Sequence, residues 1–275
     1  MEFIYITNDP HRAITAQLAG VDKIMVDLEI NGKLERQSHL NTVISRHTMK
    51  DVTVIRNVLK SSKLMVRVNP IHNGSNDEIS KCIDLGAEIL MLSMFTTPIE
   101  VQQFIKLVSG RVKTCLLLET SQALVRVDEI TRISGIDEIH IGLNDLHLAM
   151  KLDFMFELLS GGIVEYLATC LHNNKINFGF GGIARLGYGT LTSELVLSEH
   201  HRLGSTQVIL SRDFNKVYDG VSTDGGADLF CEEVHKIRQF IDKLHQSSSS
   251  ELMINSSKLK KIVHNIVNTK YLAEH

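Results

Sequence analysis

The stretch TCLLLETSQ, residues 114–122, decides the fold. Its apolar run, Cys115–Leu118, ends directly in Glu119. The stretch IHIGLNDLHLAM, residues 139–150, ends in a similar way, because Gly142 closes an apolar run and is followed by Asn144 and Asp145. Short aliphatic runs without polar alternation are typical of strands that are buried on both faces of a parallel sheet. The two stretches therefore predict two parallel strands whose C-terminal ends carry carboxylates.

Eight such runs alternate with longer segments of helical pattern. One of these segments is Pro98–Val108, whose apolar residues recur at the spacing of one helix face. This alternation predicts a (β/α)8 TIM barrel over residues 1–215. A doubly wound open sheet is the alternative, but no GxGxxG motif follows the first run. The predicted strands are Phe3–Thr7, Lys23–Glu29, Leu64–Asn69, Ile89–Met94, Thr114–Glu119, Glu138–Gly142, Asn177–Gly181 and Gln207–Ser211.

Residues 216–275 are predicted to form a helical extension behind the barrel. A loop, Asp219–Ala227, precedes a helix over Asp228–His245, and the serines Ser247–Ser250 separate it from a last helix over Leu252–Leu272. One side of that last helix is apolar and has to be covered by the chain's own barrel or by a neighbouring subunit. We expect the extension to form an oligomer contact, and the protein to be a homo-oligomer.

The composition narrows the class of function. Of the 275 residues, 43% are hydrophobic and 22% are charged, which is ordinary for a soluble enzyme. The net charge of −3 gives no reason to expect nucleic acid or an anionic membrane as partner. The chain has neither an apolar run of ~20 residues nor the pattern of a signal peptide, and its four scattered cysteines indicate reduced thiols. We therefore expect a cytoplasmic protein that acts on a small molecule.

The two acids at the strand ends suggest a metal site. In a barrel of this kind the active site lies at the C-terminal ends of the strands. Neighbouring parallel strands lie ~4.8 Å apart, so Glu119 and Asp145 can reach one cation. Mg²⁺ keeps several waters and binds few protein carboxylates, which suits a pair of acids. The alternative is that Glu119 caps a following helix and Asp145 shapes a turn.

Four segments, in order, resemble one known family. They are MVDLE (25–29), LMVRVNP (64–70), LLLETSQAL (116–124) and GLNDL (142–146). In these segments the sequence resembles the HpcH/HpaI aldolase and citrate lyase β-subunit family, metal-dependent carbon–carbon lyases on a (β/α)8 barrel. The resemblance implies that Glu119 and Asp145 hold Mg²⁺ or Mn²⁺.

The resemblance also implies roles in binding the substrate. Arg67 would grip the carboxylate or the keto oxygen, and the planar fork of an arginine suits such an anion. The alternative for Arg67 is a structural ion pair with Asp27 or Glu29. If Asp27 and Glu29 do not pair with Arg67, the resemblance implies that they take part in catalysis by ordering a metal-bound water. A substrate carboxylate would bind to the backbone N–H groups of the turn, which consists of Gly142, Leu143, Asn144 and Asp145.

The sequence also departs from the family pattern. Ile30 stands where the aldolase branch has a histidine base, so the general base is open. Asn31, Lys33 and Arg36 match the citrate lyase branch only loosely. The histidines that fall in or near loops within reach of the site are His39, His47, His72 and His147. A glycine-rich segment, NFGFGGIARLGYG (177–189), permits either close approach of a ligand, with Arg185 meeting an anion, or tight packing of helix on sheet.

The expected function is that of a divalent-metal-dependent, aldolase-type carbon–carbon lyase. It would act on a 2-keto acid such as pyruvate or oxaloacetate through a metal-stabilised enolate. A citryl- or malyl-thioester lyase is one alternative, although no cluster of basic residues for phosphate binding is evident. A non-catalytic barrel that binds a metal or a keto acid is the other.

Overall fold

A computed structural model describes residues 1–30 and 47–274 of the chain, with side chains up to Leu272. Eight parallel strands form a closed barrel in chain order, in which β8 pairs with β1. This confirms the predicted (β/α)8 TIM barrel. The strands are β1 Glu2–Ile6, β2 Lys23–Asp27, β3 Lys63–Val68, β4 Ile89–Leu92, β5 Lys113–Leu118, β6 Glu138–Ile141, β7 Asn177–Ile183 and β8 Gln207–Leu210.

Helices surround the barrel and extend behind it. In chain order, those of the described residues are α1 Pro10–Leu18, α2 Met49–Val58, α3 Ser75–Asp84, α4 Pro98–Val108, α5 Ser121–Val125, α6 Val127–Ile130, α7 Leu143–Ala149, α8 Glu157–Ser160, α9 Ile163–Asn173, α10 Ser193–Arg202, the 3₁₀ helix η1 Arg212–Tyr218, α11 Thr223–Leu244 and α12 Ser249–Glu274. None of these helices has the length and apolar composition that a bilayer crossing requires.

Hydrogen bonds of the first turn explain where α4 begins. The side chain of Thr97 accepts a hydrogen bond from the backbone of Glu100, whose carboxylate accepts one from the backbone of Thr97. This capping box, together with Pro98 in the first turn, starts α4 at the predicted residue. The apolar side of α4 is then buried on the barrel through Val101 and Phe104.

Several element boundaries differ from the prediction, among them those of β4, β7 and α11. Strand β4 ends at Leu92 because Met94 has a left-handed backbone with φ 51°, which cannot continue a strand. Strand β7 runs beyond the predicted end to Ile183, with a register shift between Gly179 and Gly182. Helix α11 begins within the predicted loop, since Ser222 caps it and accepts from the backbone of Gly225.

The last helix packs against the chain's own barrel. Leu252, Leu259 and Val263 are buried, and the helix lies along α10 and α8. The side chain of Asn255 donates to Ser198 Oγ at 3.1 Å. Of the two partners that the sequence left open, the structure therefore shows the chain's own barrel for this apolar side. The oligomer contact stays a prediction, and it would have to use other surfaces of the extension.

The inside of the barrel holds two kinds of side chain. An apolar cluster fills the middle and consists of Ile4, Met25, Met65, Ile89, Met91, Cys115 and Leu117. At the N-terminal end of the strands, the buried ammonium of Lys23 lies between charged and polar partners. Its Nζ donates to both carboxylate oxygens of Glu138, at 2.9 and 2.7 Å, and to Gln207 Oε1 at 2.8 Å. No pattern in the sequence indicated this polar layer.

Candidate active site at the C-terminal ends of the strands

Glu119 lies directly beyond the end of β5 and is buried, with 3% of its surface exposed. It does not cap the next helix. That role belongs to Thr120, whose Oγ1 accepts from the backbone of Ala123 at 3.1 Å. The alternative interpretation of Glu119 is therefore wrong. Instead, Glu119 Oε1 accepts from the backbone N–H of Met94 at 3.1 Å, which orients the carboxylate across the end of β4.

Asp145 lies in the first turn of α7, immediately after β6. The predicted open turn at Gly142–Asp145 is thus the start of a helix. The N–H of Gly142 donates to the carbonyl of Leu118 at 2.9 Å and ties the ends of β5 and β6 together. A glycine is required at this position, because a Cβ on residue 142 would lie 2.8 Å from the Cβ of Glu119.

The pKa of Glu119 shows that this residue interacts electrostatically with Asp145. Burial raises the pKa of Glu119 to about 8; Arg67 opposes this shift, while Asp145 and Glu29 add to it. Glu119 therefore lies within electrostatic range of Asp145 on one side and of Arg67 on the other.

These acids fit a hard divalent cation. A buried carboxylate with an acid nearby is stabilised by a cation between them. Within residues 1–30 and 47–274 no three potential ligands from histidine, cysteine, aspartate and glutamate cluster together. A pair of oxygen ligands does suit Mg²⁺ or Mn²⁺, which complete their shell with water and substrate oxygens.

Arg67 is held by an ion pair across two strands. Asp27 and Arg67 are in register on β2 and β3, and the guanidinium binds the carboxylate through two hydrogen bonds of 2.8 Å, from Nε and Nη2. Glu29 Oε2 lies 3.5 Å from Nη2. Burial opposes the charge of Arg67, but Asp27, Glu29 and Glu119 outweigh it and raise its pKa. The ion pair weighed as the alternative thus exists, and it engages two of the three guanidinium nitrogens.

One of the candidate histidines reaches the end of β2. His47 Nδ1 accepts from the backbone N–H of Asp27 at 3.0 Å, so the neutral ring carries its hydrogen on Nε2. His72 instead lies 3.1 Å from Glu78, and His147 lies 3.2 Å from the carbonyl of Leu143 within its own helix. The predictions for His39, Asn31, Lys33 and Arg36 fall outside the described residues.

Ile30 stands where the aldolase branch of the family has a histidine, just beyond the C-terminal end of β2. Its side chain is 53% exposed, and Asn69 Oδ1 accepts from its backbone N–H at 2.9 Å. An aliphatic side chain has no proton to exchange. Ile30 therefore cannot act as the base that the aldolase branch places there.

Two glycines of the glycine-rich segment are required by close packing. A Cβ on Gly179 would lie 2.2 Å from the carbonyl oxygen of Gln207, and one on Gly181 would lie 2.7 Å from Leu143 Cδ1. Arg185 forms an ion pair within the chain. Its Nε donates to Asp213 Oδ2 at 2.8 Å.

Fold and site together describe an enzyme-type (β/α)8 barrel, with two acids and a clamped arginine at the C-terminal ends of its strands. The sequence profile of the HpcH/HpaI aldolase/citrate lyase family matches residues 3–155, more than half of the chain. The chain belongs to this family, which places it among lyases of the aldolase and citrate lyase type.

Solved structures share the fold. The chain is similar to an HpcH/HpaI aldolase from Desulfitobacterium hafniense, with 13% identity over 76% of this chain and 85% of that one, and a TM-score of 0.59. It is similar to an HpcH/HpaI aldolase/citrate lyase family protein from Burkholderia cenocepacia, with 14% identity over 89% and 94% of the two chains and a TM-score of 0.60. Citrate synthase SbnG gives 14% identity, coverage of 79% and 88%, and a TM-score of 0.60. A comparison with curated protein sequences finds no match.

Proposed function

We propose that the protein is a divalent-metal-dependent carbon–carbon lyase of the aldolase type, acting on a 2-keto acid such as pyruvate or oxaloacetate. The observation that carries this proposal is the charge arrangement around Glu119. This buried carboxylate lies within electrostatic range of Asp145 and Arg67, all at the C-terminal ends of the strands. Family membership supports the class of reaction.

Glu119 and Asp145 are the residues that would hold the cation, Mg²⁺ or Mn²⁺. A bound cation would supply positive charge near the keto oxygen of the substrate, where negative charge develops as the carbon–carbon bond breaks. The contact from Met94 N–H fixes the direction of the Glu119 carboxylate before any ligand arrives. Such preorganisation keeps the cost of rearranging the site during the reaction low.

Arg67 would supply the second positive charge. Asp27 holds the guanidinium through its Nε and Nη2 atoms, so the side chain is fixed and stays charged. Its Nη1 carries two further N–H donors, which suit a substrate carboxylate. Asp27 and Glu29 would therefore position Arg67. The backbone N–H groups of Leu143, Asn144 and Asp145 would bind a substrate carboxylate. The N–H of Gly142, which the sequence also suggested for this role, donates to the carbonyl of Leu118 instead.

Decarboxylation of oxaloacetate tests this proposal without knowledge of the natural acceptor. Loss of CO₂ produces the pyruvate enolate directly and needs no base to begin. The absence of the family histidine at Ile30 should therefore not prevent it. Because Mg²⁺ and Mn²⁺ alone also accelerate this reaction, the rate with protein plus metal has to be compared with that of metal alone. We expect the protein to exceed that background.

The variant Arg67→Lys tests in this assay whether the guanidinium of Arg67 binds the substrate. It keeps the charge that balances Asp27 and Glu29 but loses the planar fork. Losing charge-assisted contacts of about 2–3 kcal/mol would lower the excess rate roughly 30- to 150-fold. Arg56→Lys, at a surface pair with Glu88, is the matched control and should retain the full rate. A wild-type rate equal to that of metal alone over a range of pH would overturn the proposal.

A further inference from the structure

Two buried polar side chains inside the barrel have atoms without a protein partner. Within the described part of the chain, His140 Nδ1 and Gln207 Nε2 are both buried and make no hydrogen bond. Both side chains are fully enclosed, with 0% exposure. Buried polar atoms are nearly always hydrogen-bonded, to protein or to ordered water, so each of the two needs a partner.

The chemistry of the neighbours fixes the hydrogen-bonding role of each atom. Gln207 Oε1 accepts from Lys23 Nζ at 2.8 Å. Since an ammonium can only donate, the amide cannot be turned around, and Gln207 Nε2 is a donor that points away from Lys23. His140 Nε2 lies 2.9 Å from the carbonyl of Gly181, which can only accept. The neutral ring therefore carries its hydrogen on Nε2, and His140 Nδ1 is an acceptor.

Burial keeps His140 in that neutral form. Burial lowers its pKa to about 4; the hydrogen bond to Gly181 opposes the shift, and the cations Lys23 and Arg67 add to it. The acceptor on Nδ1 is thus present throughout the neutral pH range.

The strand register brings donor and acceptor to either side of a glycine. Gly179 on β7 pairs with His140 on β6 and with Gln207 on β8. Where the neighbouring strands place side chains inside the barrel, Gly179 has none. The Cγ of Gln207 lies only 2.5 Å from the place a Cβ of Gly179 would take, so the side chain of Gln207 passes over the glycine. The residues that carry the donor and the acceptor therefore flank one interior space above Gly179.

We propose that this space is a binding site for one buried water molecule. The water accepts from Gln207 Nε2 and donates to His140 Nδ1. It completes a hydrogen-bonded column that runs from Lys23 through Gln207 and His140 to Gly181. A water is the small ligand that can accept and donate at once, and globular proteins hold about one buried water per 27 residues, each usually joining polar groups that lack other partners. The proposal does not depend on the reaction that the protein catalyses.

A high-resolution crystal structure of the wild-type protein tests it directly. We expect one density peak within about 2.7–3.2 Å of both Gln207 Nε2 and His140 Nδ1. A space without density, or a direct contact between the two atoms, would overturn the proposal. Long-range ¹H–¹⁵N spectra give a second measurement, because His140 should show the Nε2–H form across the neutral range. A ring with its hydrogen on Nδ1 would equally end the proposal.

Two variants test whether one water molecule bridges the side chains of Gln207 and His140. Gln207→Leu and His140→Leu should each remove the density. Because both lose the same bridge, the double variant should lose less stability than the sum of the two single variants. Additive losses, or density that persists in either single variant, would count against the water bridge. If neither variant folds, the wild-type density and the tautomer of His140 still decide.

Discussion

At the scale of single residues, the hypothesis of a metal site rests on the two acids Glu119 and Asp145. Glu119→Gln and Asp145→Asn keep the shape of each side chain but remove the charge that a divalent cation needs. We expect calorimetric titration with Mg²⁺ or Mn²⁺ to show no measurable binding in either variant, while circular dichroism shows a folded barrel. Glu88→Gln is the matched control, since Glu88 lies at the opposite end of the strands, next to β4. Unchanged affinity in both site variants would mean that the cation binds elsewhere.

His140 makes a second prediction at this scale, concerning pH. Its pKa is about 4 in the folded protein, lowered by burial from the ordinary 6.5, so folding favours the neutral ring. As the pH falls from 6.5 towards 4, the unfolded chain binds a proton that the folded protein excludes, and stability is lost. The shift corresponds to about 3 kcal/mol of unfolding free energy. Buried His200, whose pKa burial lowers well below its usual value, acts in the same direction.

The measurement is urea unfolding of wild type and His140→Gln across this pH window. The glutamine keeps a donor for the carbonyl of Gly181 but has no proton to bind. Its stability should therefore fall less steeply between pH 6.5 and 4. His235→Gln, an exposed position on α11, should follow the wild-type curve. Parallel curves for wild type and His140→Gln would show that His140 does not carry the effect.

The residues of the candidate site could be predicted where they end a strand. Glu119, Asp145 and Arg67 each follow or close an apolar run, and the ends of parallel strands meet at one edge of a barrel. The approach of His47 to Asp27 could not be predicted, because it connects residues 20 positions apart across a connection without a periodic pattern. The capping role of Thr120, which removes the alternative for Glu119, was not predicted, although threonine is a preferred residue directly before a helix.

At the scale of elements, the last helix tests how the extension is attached. Leu259 on α12 is 1% exposed against the chain's own barrel, whereas Ile254 on the same helix is 66% exposed. Leu259→Ala should therefore cost about 2–5 kcal/mol of unfolding free energy. Ile254→Ala should cost less than about 0.5 kcal/mol.

Denaturant unfolding at several protein concentrations distinguishes the two ways of covering this helix. A contact within the chain gives a Leu259→Ala penalty that does not change with concentration. A contact with a neighbouring barrel gives a penalty that shrinks as the protein is diluted, because the dissociated wild type has already lost that contact. The second result would mean that the apolar side of α12 forms the contact between subunits that was predicted from the sequence.

Elements were predictable where one pattern repeated without interruption. The aliphatic runs placed all eight strands, and Pro98 placed the start of α4. The pairing of Lys23 with Glu138 was not predictable, because the two residues are 115 positions apart. A strand buried on both faces also gives no periodic signal that separates the inside of a barrel from its outside.

At the scale of the whole molecule, the site and the closed barrel stabilise one another. Arg67, Glu119 and Asp145 lie on or directly after β3, β5 and β6, and these strands meet only when the barrel is formed. A ligand that needs all three residues therefore binds the folded chain and not the unfolded one. Binding of this kind raises the free energy of unfolding by mass action, by about 2.7 kcal/mol at a ligand concentration 100 times Kd.

We therefore expect Mn²⁺ together with pyruvate to raise the melting temperature by about 5–10 °C, given roughly 2–4 °C per kcal/mol for a chain of this size. Acetate is the matched ligand, since it has the carboxylate but not the keto oxygen, and it should give a smaller shift with the same metal. Glu88→Gln should respond like wild type, and Glu119→Gln should not respond. Equal shifts with pyruvate and acetate would show that the keto oxygen is not recognised, which would favour a metal-binding barrel without keto-acid chemistry. An equal shift in Glu119→Gln would place the bound metal away from the strand ends.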